Sequence, residues 1–284
     1  MNKDVVLKEL LTSSKTLIMP NAYDPISAKI IEYVGFSAIQ CSGYSYSISK
    51  GYKSENDIDL KTNLAITKEI VDSVNIPVMA DGKDGYGEGD YFISTIKQFI
   101  NIGVCGINIE DQNHKSYSNT LQIVNENIML DKLKIAAKIK NELRKNSFII
   151  NSRTDALLTI PNRKESQVIA IERANKYLEA GADICFVAYV KTLDEVKLFS
   201  KEISGPISIA VGLPYNIQEF SINDCIELGI ARVSLPTLMI LNSVGYMIKK
   251  LTEIKDTGNF FELIKDNSFL SNEDLLQNIL NNKK

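Results

Sequence analysis

The chain has few residues of the kinds that build metal cages or redox centres. It contains one histidine and four cysteines, and no two cysteines form a Cys-x-x-Cys pair. Zinc sites made of cysteine and histidine usually show such paired spacing, so the sequence disfavours one. Cys41, Cys105 and Cys185 each lie in an apolar, strand-like run. We interpret them as buried structural thiols rather than as metal ligands or nucleophiles.

Charge and hydropathy exclude two further classes of protein. Lysine and arginine total 32 against 35 acidic residues, and no predicted helix carries a basic stripe, so we expect no nucleic-acid partner. No stretch reaches the roughly 18 apolar residues of a membrane span. The first residues predict an amphipathic helix rather than a signal peptide. We expect a cytoplasmic protein without a membrane partner, in which residues 281–284 form a solvated end.

Short apolar runs alternate with longer stretches of helical periodicity, which predicts repeated βα units and a parallel sheet. Several predicted helices stop at a glycine, as helices commonly do. The predicted strands are Thr16–Pro20, Ser37–Cys41, Pro77–Asp81, Gly106–Glu110, Phe148–Ser152, Ile184–Ala188, Ile207–Val211 and Arg232–Leu235. The predicted helices between them include Ser27–Val34, Lys61–Val74, Asp90–Ile102, Leu130–Lys145, Glu165–Ala180 and Leu193–Ile203.

This alternation favours an α/β fold, a (β/α)8 barrel of the TIM type with extra C-terminal helices. No Pro/Gly/Ser-rich linker divides the 284 residues, so we predict a single barrel domain over 1–284. The extra helices are predicted at Leu238–Thr252, Phe260–Lys265 and Asn272–Leu280. We expect residues 255–284 to form a helical extension that covers the barrel floor or packs on a partner subunit.

Polar residues cluster directly after predicted strands two to five. In a parallel barrel such positions converge on the carboxyl face, where barrel enzymes place their active sites. The cluster consists of Ser42, Gly43, Tyr44, Asp81, Lys83, Glu110, His114, Arg153 and Asp155. A surface without function would spread polar groups evenly, so the clustering favours an enzyme with its site at this face.

Each group in the cluster has a chemical use and a structural alternative. Ser42 and Gly43 offer a hydroxyl and a backbone N–H that can hold a carboxylate or an oxyanion, or they form a simple turn. Asp81 and Glu110 end adjacent strands, and like charges so close require a cation between them or a raised pKa. Mg²⁺ is held by carboxylates and water in this way. Alternatively, backbone N–H groups and Lys83 satisfy both carboxylates.

Arg153 can clamp a substrate carboxylate through two parallel hydrogen bonds, or it forms an internal ion pair with Asp81, Glu110 or Asp155. His114, the only histidine, is either structural or a gating residue in the loop after strand four. We take Lys83 and His114 as the candidate catalytic residues.

Five motifs resemble the isocitrate lyase / phosphoenolpyruvate mutase superfamily, and the likeness extends from about residue 10 to residue 250. The motifs are Pro-Asn-Ala-Tyr-Asp-Pro-Ile-Ser-Ala at 20–28, Gly-Phe-Ser-Ala-Ile-Gln-Cys-Ser-Gly at 35–43, Asp-Gly-Lys-Asp-Gly-Tyr-Gly at 81–87, Gly-Ile-Asn-Ile-Glu-Asp-Gln at 106–112 and Ser-Arg-Thr-Asp-Ala at 152–156. The resemblance implies a Mg²⁺-dependent barrel enzyme that cleaves or rearranges C–C or P–C bonds of small α-keto or 2-hydroxy acids.

Carried over by position, the resemblance implies that Ser42, Gly43 and Tyr44 hold the substrate's carboxylate and keto oxygen. It likewise implies that Asp81 faces the metal directly, that Glu110 faces it mainly through water, and that Arg153 pairs with the substrate.

The sequence departs from that superfamily at several positions. Lys83 replaces the second acid of the usual Asp-x-Asp-x-Gly-Tyr-Gly motif, and Ser54 aligns with another acid, although Glu55 is next to it. The lyases' Lys-Arg-Cys-Gly-His loop is absent, and Ala188 aligns with a mutase histidine. We therefore expect a divergent lyase-type enzyme that works through an enolate-like intermediate. The alternatives are a phosphonopyruvate-type mutase or hydrolase, and a non-catalytic barrel that binds a small acid.

Lys83 allows three arrangements. Its ammonium takes the place of the cation between Asp81 and Glu110, or it turns outward while Mg²⁺ binds as usual, or it forms a Schiff base with a keto acid. Two further expectations follow from the resemblance. The loop from about Gln112 to Gln122 closes over substrate. The C-terminal helices are exchanged between subunits of a homodimer or homotetramer.

Overall fold

The computed structural model describes residues 2–113, 121–260 and 273–281, in which eight parallel strands close into a barrel. The strands are β1 Leu17–Ala22, β2 Ile39–Cys41, β3 Val78–Asp81, β4 Gly106–Glu110, β5 Ile149–Thr154, β6 Ile184–Val187, β7 Ile207–Ala210 and β8 Arg232–Leu235. Each strand pairs with the next along the chain, and β8 pairs with β1. The predicted (β/α)8 barrel is confirmed.

Helices follow the strands and surround the barrel. They are α1 Lys3–Thr12, α2 Pro25–Val34, α3 Gly43–Ser49, α4 Leu60–Ser73, α5 Asp90–Asn101, α6 Glu126–Glu142, α7 Ala156–Thr159, α8 Arg163–Glu179, α9 Leu193–Glu202, α10 Ile222–Glu227, α11 Leu238–Thr257 and α12 Glu273–Leu280. A 3₁₀ turn spans Glu55–Asp57. Gly35, which ends α2, has φ of 105°, a left-handed conformation that glycine adopts without a steric penalty.

The main apolar core lies between the strands and the surrounding helices. It contains large side chains with no exposed surface, among them Phe92, Phe99, Tyr177 and Phe199. Each fully buried side chain of this size contributes roughly 1.5–3 kcal/mol to stability. This core fixes the strands and therefore the positions of the residues that follow them.

The floor of the barrel is closed by helix α1. Leu7 and Leu11 of α1 pack with apolar side chains from the first half of the strands, including Leu17, Met79 and Ile149. Above this layer the barrel interior becomes polar, because Arg232 of β8 reaches Gln40 of β2 and Ser208 of β7. The barrel is therefore sealed below and polar beneath its carboxyl face.

The C-terminal segment is described in part. Helix α12 lies on α2 of the same chain, where Lys29 Nζ donates to the Leu280 carbonyl at 2.9 Å and Ile279 is buried. The predicted segment Phe260–Lys265 lies, after its first residue, outside the described residues. Helix α11 exposes Met247, Ile248 and Leu251. In the described ranges no helix is long and apolar enough to cross a bilayer.

Candidate active site

A cavity of about 320 Å³ opens at the carboxyl ends of the strands. Its volume is in the range of small-molecule sites. Its lining includes Asn21, Gln40, Cys41, Ser42, Tyr44, Glu55, Asp81, Asn108, Arg153, Asp155, Phe186, Ala188, Leu213, Tyr215, Arg232 and Ser234. Ser42, Tyr44, Asp81 and Arg153, four of the predicted site residues, thus meet at one cavity. His114 lies outside the described residues, as does most of the loop predicted to close.

Ser42 and Gly43 begin helix α3 at the edge of the cavity. Ser42 is the N-cap, and its hydroxyl oxygen accepts from the Ser45 N–H at 3.2 Å. The Gly43 N–H donates to Asp81 Oδ2 at 2.8 Å. The Gly43 N–H, which we expected to bind a substrate oxygen, therefore forms a hydrogen bond within the protein. The Ser42 hydroxyl accepts one hydrogen bond and can still donate its hydrogen to a ligand.

Asp81 ends β3 and borders the cavity. Its carboxylate accepts hydrogen bonds from the backbone N–H groups of Gly43, at 2.8 Å, and Lys83, at 3.4 Å. Burial, and next the charge of Glu110, raise the pKa of Asp81 above its ordinary value. The expected repulsion between the two carboxylates is therefore present, and a cation near Asp81 would relieve it.

Arg153 forms ion pairs inside the site. Its Nη1 lies 2.8 Å from Glu110 Oε2, and its Nη2 lies 2.7 Å from Asp155 Oδ1. Burial alone would lower the pKa of Arg153, but the two carboxylates raise it above its ordinary value. Its guanidinium lies over the Phe186 ring, 5.5 Å from the centroid. The internal ion pair considered for Arg153 is present, and the guanidinium still borders the cavity.

Lys83 is buried and its backbone is strained, with φ of 49°. Its ammonium donates to the backbone carbonyls of Glu55 and, at 3.2 Å, Ile58. The structure thus places the ammonium on the 3₁₀ turn rather than between Asp81 and Glu110. Lys83 therefore neither replaces a cation between the two carboxylates nor turns to solvent, and its ammonium is held by backbone carbonyls.

The turn held by Lys83 brings a further carboxylate to the cavity. A Cβ added at Gly43 would lie 3.2 Å from Asp81 Oδ2 and 3.6 Å from Glu55 Oε2, so both carboxylates converge on this glycine. Glu55 therefore brings a carboxylate to the cavity one residue after Ser54, the position that aligns with an acid in the superfamily. The sequence signal for this carboxylate was that Glu55 follows Ser54 directly.

Asp155, which follows β5, was considered from the sequence only as a partner of Arg153. It has no exposed surface, and its Oδ2 has no hydrogen-bond partner among the described residues. Burial raises its pKa to about 7, although Arg153 opposes that shift. A carboxyl group that titrates near neutrality in a cavity is suited to proton transfer.

The donor set fits a water-rich Mg²⁺ site rather than an all-protein cage. Among the described residues, no three acidic, histidine or cysteine side chains form a group that could hold a metal ion. Mg²⁺, however, is commonly bound by one or two carboxylates with several waters. Asp81 meets this requirement, because its carboxylate borders the cavity and accepts only from backbone N–H groups.

Comparisons with known proteins place the chain in a family. The family model described as Phosphoenolpyruvate phosphomutase matches residues 7–255. The 2,3-dimethylmalate lyase of Eubacterium barkeri is 32% identical over 212 residues, which cover 72% of this chain and 70% of that protein. The 2-methylisocitrate lyase of Halalkalibacterium halodurans is 30% identical over 206 residues, which cover 70% of this chain and 64% of that protein.

Among solved structures, phosphonopyruvate hydrolase in complex with oxalate and Mg²⁺ has a TM-score of 0.85 at 23% identity. The match covers 99% of this chain and 96% of that chain. At this identity the likeness shows a common fold.

Proposed function

The chain belongs to the phosphoenolpyruvate phosphomutase family, and from that premise we propose a lyase that cleaves a C–C bond of a small 2-hydroxy carboxylic acid. The observation that carries this proposal is the meeting of Ser42, Asp81, Arg153 and Asp155 at one cavity. The names of the two related lyases support C–C cleavage over rearrangement. Ala188, at the position of a mutase histidine, borders the cavity and offers no group for phosphoryl chemistry.

The reaction requires one base and one stabilised anion. A base removes the proton of the 2-hydroxyl group, the carbonyl forms at C2, and the C2–C3 bond breaks. The electron pair of that bond moves to C3 and into the carboxyl or other carbonyl group that C3 must bear, which gives the enolate of the second product, and C3 then takes up a proton. Asp155 is the described residue best suited to exchange these protons, because it is a buried carboxyl whose pKa lies near 7.

Other side chains would position the substrate. The Ser42 hydroxyl can donate to a substrate carboxylate, and Arg153 has guanidinium N–H groups beyond those that bind Glu110 and Asp155. Phe186, Leu213 and Tyr215 supply apolar wall that excludes water from the reacting atoms. Exclusion of water strengthens every charge interaction within the cavity.

We further infer that Asp81 would hold Mg²⁺, the ion present in the related hydrolase structure, and that Glu110, which pairs with Arg153, would face the ion through water. When bound, the ion would supply positive charge that stabilises an enolate oxygen. Lys83 would then act by holding the 3₁₀ turn and its Glu55 carboxylate in place.

Turnover of a panel of acids tests the proposal. Purified protein with Mg²⁺ is incubated with malates alkylated at C2 or C3, with 2-hydroxy and 2-oxo acids, and with phosphonopyruvate, and products are identified by NMR. We expect a 2-oxo acid and a saturated acid from one of the malates. Asp155→Asn and Ser42→Ala should each lower kcat/KM, and the surface variant Asp72→Asn should not. Cleavage of phosphonopyruvate alone would favour the hydrolase alternative, and absence of turnover throughout would favour the non-catalytic one.

A further inference from the structure

A buried arginine lies beneath the cavity, where α/β barrels normally carry bulky apolar side chains. Arg232, the first residue of β8, has no exposed surface and still borders the cavity. Its guanidinium donates to Gln40 Oε1 at 2.6 Å, Ser208 Oγ at 2.8 Å and Met19 Sδ at 3.2 Å. All three acceptors are uncharged, so the cation has polar contacts but no ionic one.

No carboxylate of the described residues forms an ion pair with Arg232. Asp81 attracts the guanidinium only through space, and its carboxylate is held by the Gly43 N–H. A guanidinium has five N–H groups, so two remain without an acceptor among the described residues. Burial lowers the pKa of Arg232 to about 9, the direction expected of a cation without a counter-ion. Buried charges in proteins are normally paired, because an unpaired one is strongly unfavourable.

A second, independent feature marks the same place. Asn21 on β1 borders the cavity, is 5% exposed, and its side-chain Oδ1 has no hydrogen-bond partner among the described residues. It pairs in register with Gln40, the residue that holds Arg232. Buried amide oxygens are almost always hydrogen-bonded, so an orphaned one that borders a cavity points to a ligand with a hydrogen-bond donor, such as the hydroxyl group of a 2-hydroxy acid.

We propose that Arg232 forms a carboxylate-binding subsite in the cavity, below the groups that act on the reacting carbons. The two guanidinium N–H groups without an acceptor among the described residues can donate two hydrogen bonds to a carboxylate. This subsite rests on the proposed function for the placement of the reacting end at Ser42 and Arg153. The ligand must then carry a second, terminal carboxylate that reaches the floor of the cavity.

Matched pairs of acids test the subsite by binding alone. Malate and 2-hydroxybutyrate differ by a terminal carboxylate in place of a methyl group, and 2-hydroxyglutarate and 2-hydroxyvalerate repeat that difference one carbon further out. Calorimetric titration measures the Kd of each acid. We expect the dicarboxylate of at least one pair to bind about 10-fold or more tightly than its partner.

Three variants separate a binding role from a structural one. Arg232→Met should abolish the preference for the dicarboxylate, Arg232→Lys should retain part of it, and the exposed control Arg144→Met should retain all of it. Removal of an unpaired buried charge should not lower the Tm of ligand-free Arg232→Met. If this variant does not fold, ¹⁵N NMR of the wild-type Arg232 Nε resonance decides, because only a bound carboxylate in contact should shift it.

Equal affinity within both pairs, including no binding of any of the four acids, would overturn the subsite, as would a preference that survives in Arg232→Met. A preference without turnover of any dicarboxylate keeps the subsite and removes the lyase proposal. Turnover of a dicarboxylate without a binding preference for it keeps the lyase proposal and removes the subsite.

Discussion

Removal of Arg173 should destabilise the protein more than any surface change. Asp111 follows β4 and has no exposed surface. Its carboxylate accepts from Arg173 Nη1 at 2.9 Å, the Tyr177 hydroxyl at 2.8 Å and the Asp155 N–H at 2.8 Å. Arg173 also donates to the Val124 carbonyl at 2.8 Å. These contacts tie α8 to the loops after β4 and β5, beneath the candidate site.

The size of the effect follows from burial. The Arg173 side chain is 9% exposed and Asp111 is 0% exposed, so solvent does little to replace the lost partner. In Arg173→Met the methionine refills most of the apolar volume, but Asp111 keeps only two neutral donors. Breaking a buried ion pair in this way costs about 3–5 kcal/mol. Tyr177→Phe removes one hydrogen bond to the same charge and should cost about 1.5–3 kcal/mol.

Urea unfolding at pH 7, followed by circular dichroism, measures both losses. Lys176→Met is the matched control, because it removes a positive charge from the same helix, where Lys176 pairs with Glu126 but remains 48% exposed. We expect no resolvable change for this control. A loss for Arg173→Met that does not exceed that for Tyr177→Phe would refute the reasoning from buried charge.

Four further outcomes are expected. Gly82→Ala should lower the free energy of unfolding by about 1–3 kcal/mol, since the added Cβ would lie 2.6 Å from the Asn108 carbonyl oxygen; unchanged urea unfolding would contradict this. Lys83→Asp should bind Mg²⁺ about 10-fold or more tightly than wild type in calorimetry, because it adds a carboxylate two residues from Asp81 and removes the ammonium that lies on the 3₁₀ turn. The pKa of Asp155 is about 7 in the folded protein, against an ordinary value of 3.8, so between these pH values the unfolded chain binds fewer protons than the folded one. This group therefore lowers the free energy of unfolding as pH rises from about 4 to about 7. Unfolding of Asp155→Asn measured across pH should lack that slope. Light scattering at micromolar concentration should give a homodimer or homotetramer, in which the exposed apolar side chains of α11 become covered; a monomer mass would contradict this.

The fold could be predicted from the sequence because its signals repeat. Strands Gly106–Glu110 and Arg232–Leu235 have the predicted bounds, and the others shift by one or two residues at their ends. Helix α3 was not predicted, because its serine- and tyrosine-rich sequence lacks apolar periodicity and depends on the Ser42 cap. The glycine that ends α2 was predicted correctly, since a left-handed residue is required there.

The candidate site could be predicted only as a set of residues that share one end of the barrel. Hydrogen-bond partners depend on loop geometry, so neither the contact of the Gly43 N–H with Asp81 nor that of the Lys83 ammonium with the Glu55 carbonyl could be predicted from sequence patterns. Arg232 was inside a correctly predicted strand, but alternation in Arg-Val-Ser-Leu does not say which face is interior. That choice follows from the packing of eight strands around one axis.

Because α1 closes the floor of the barrel, the cavity that the described residues form has one opening, at the carboxyl ends of the strands. Among the described residues, Leu7 and Leu11 pack with apolar side chains of the strands at the floor of the barrel, so a ligand would enter and leave at the carboxyl ends of the strands. When one substrate is split into two fragments in such a cavity, the outer fragment blocks the inner one. Departure of the products is then ordered by depth, and the deeper product alone should compete with substrate for the empty enzyme.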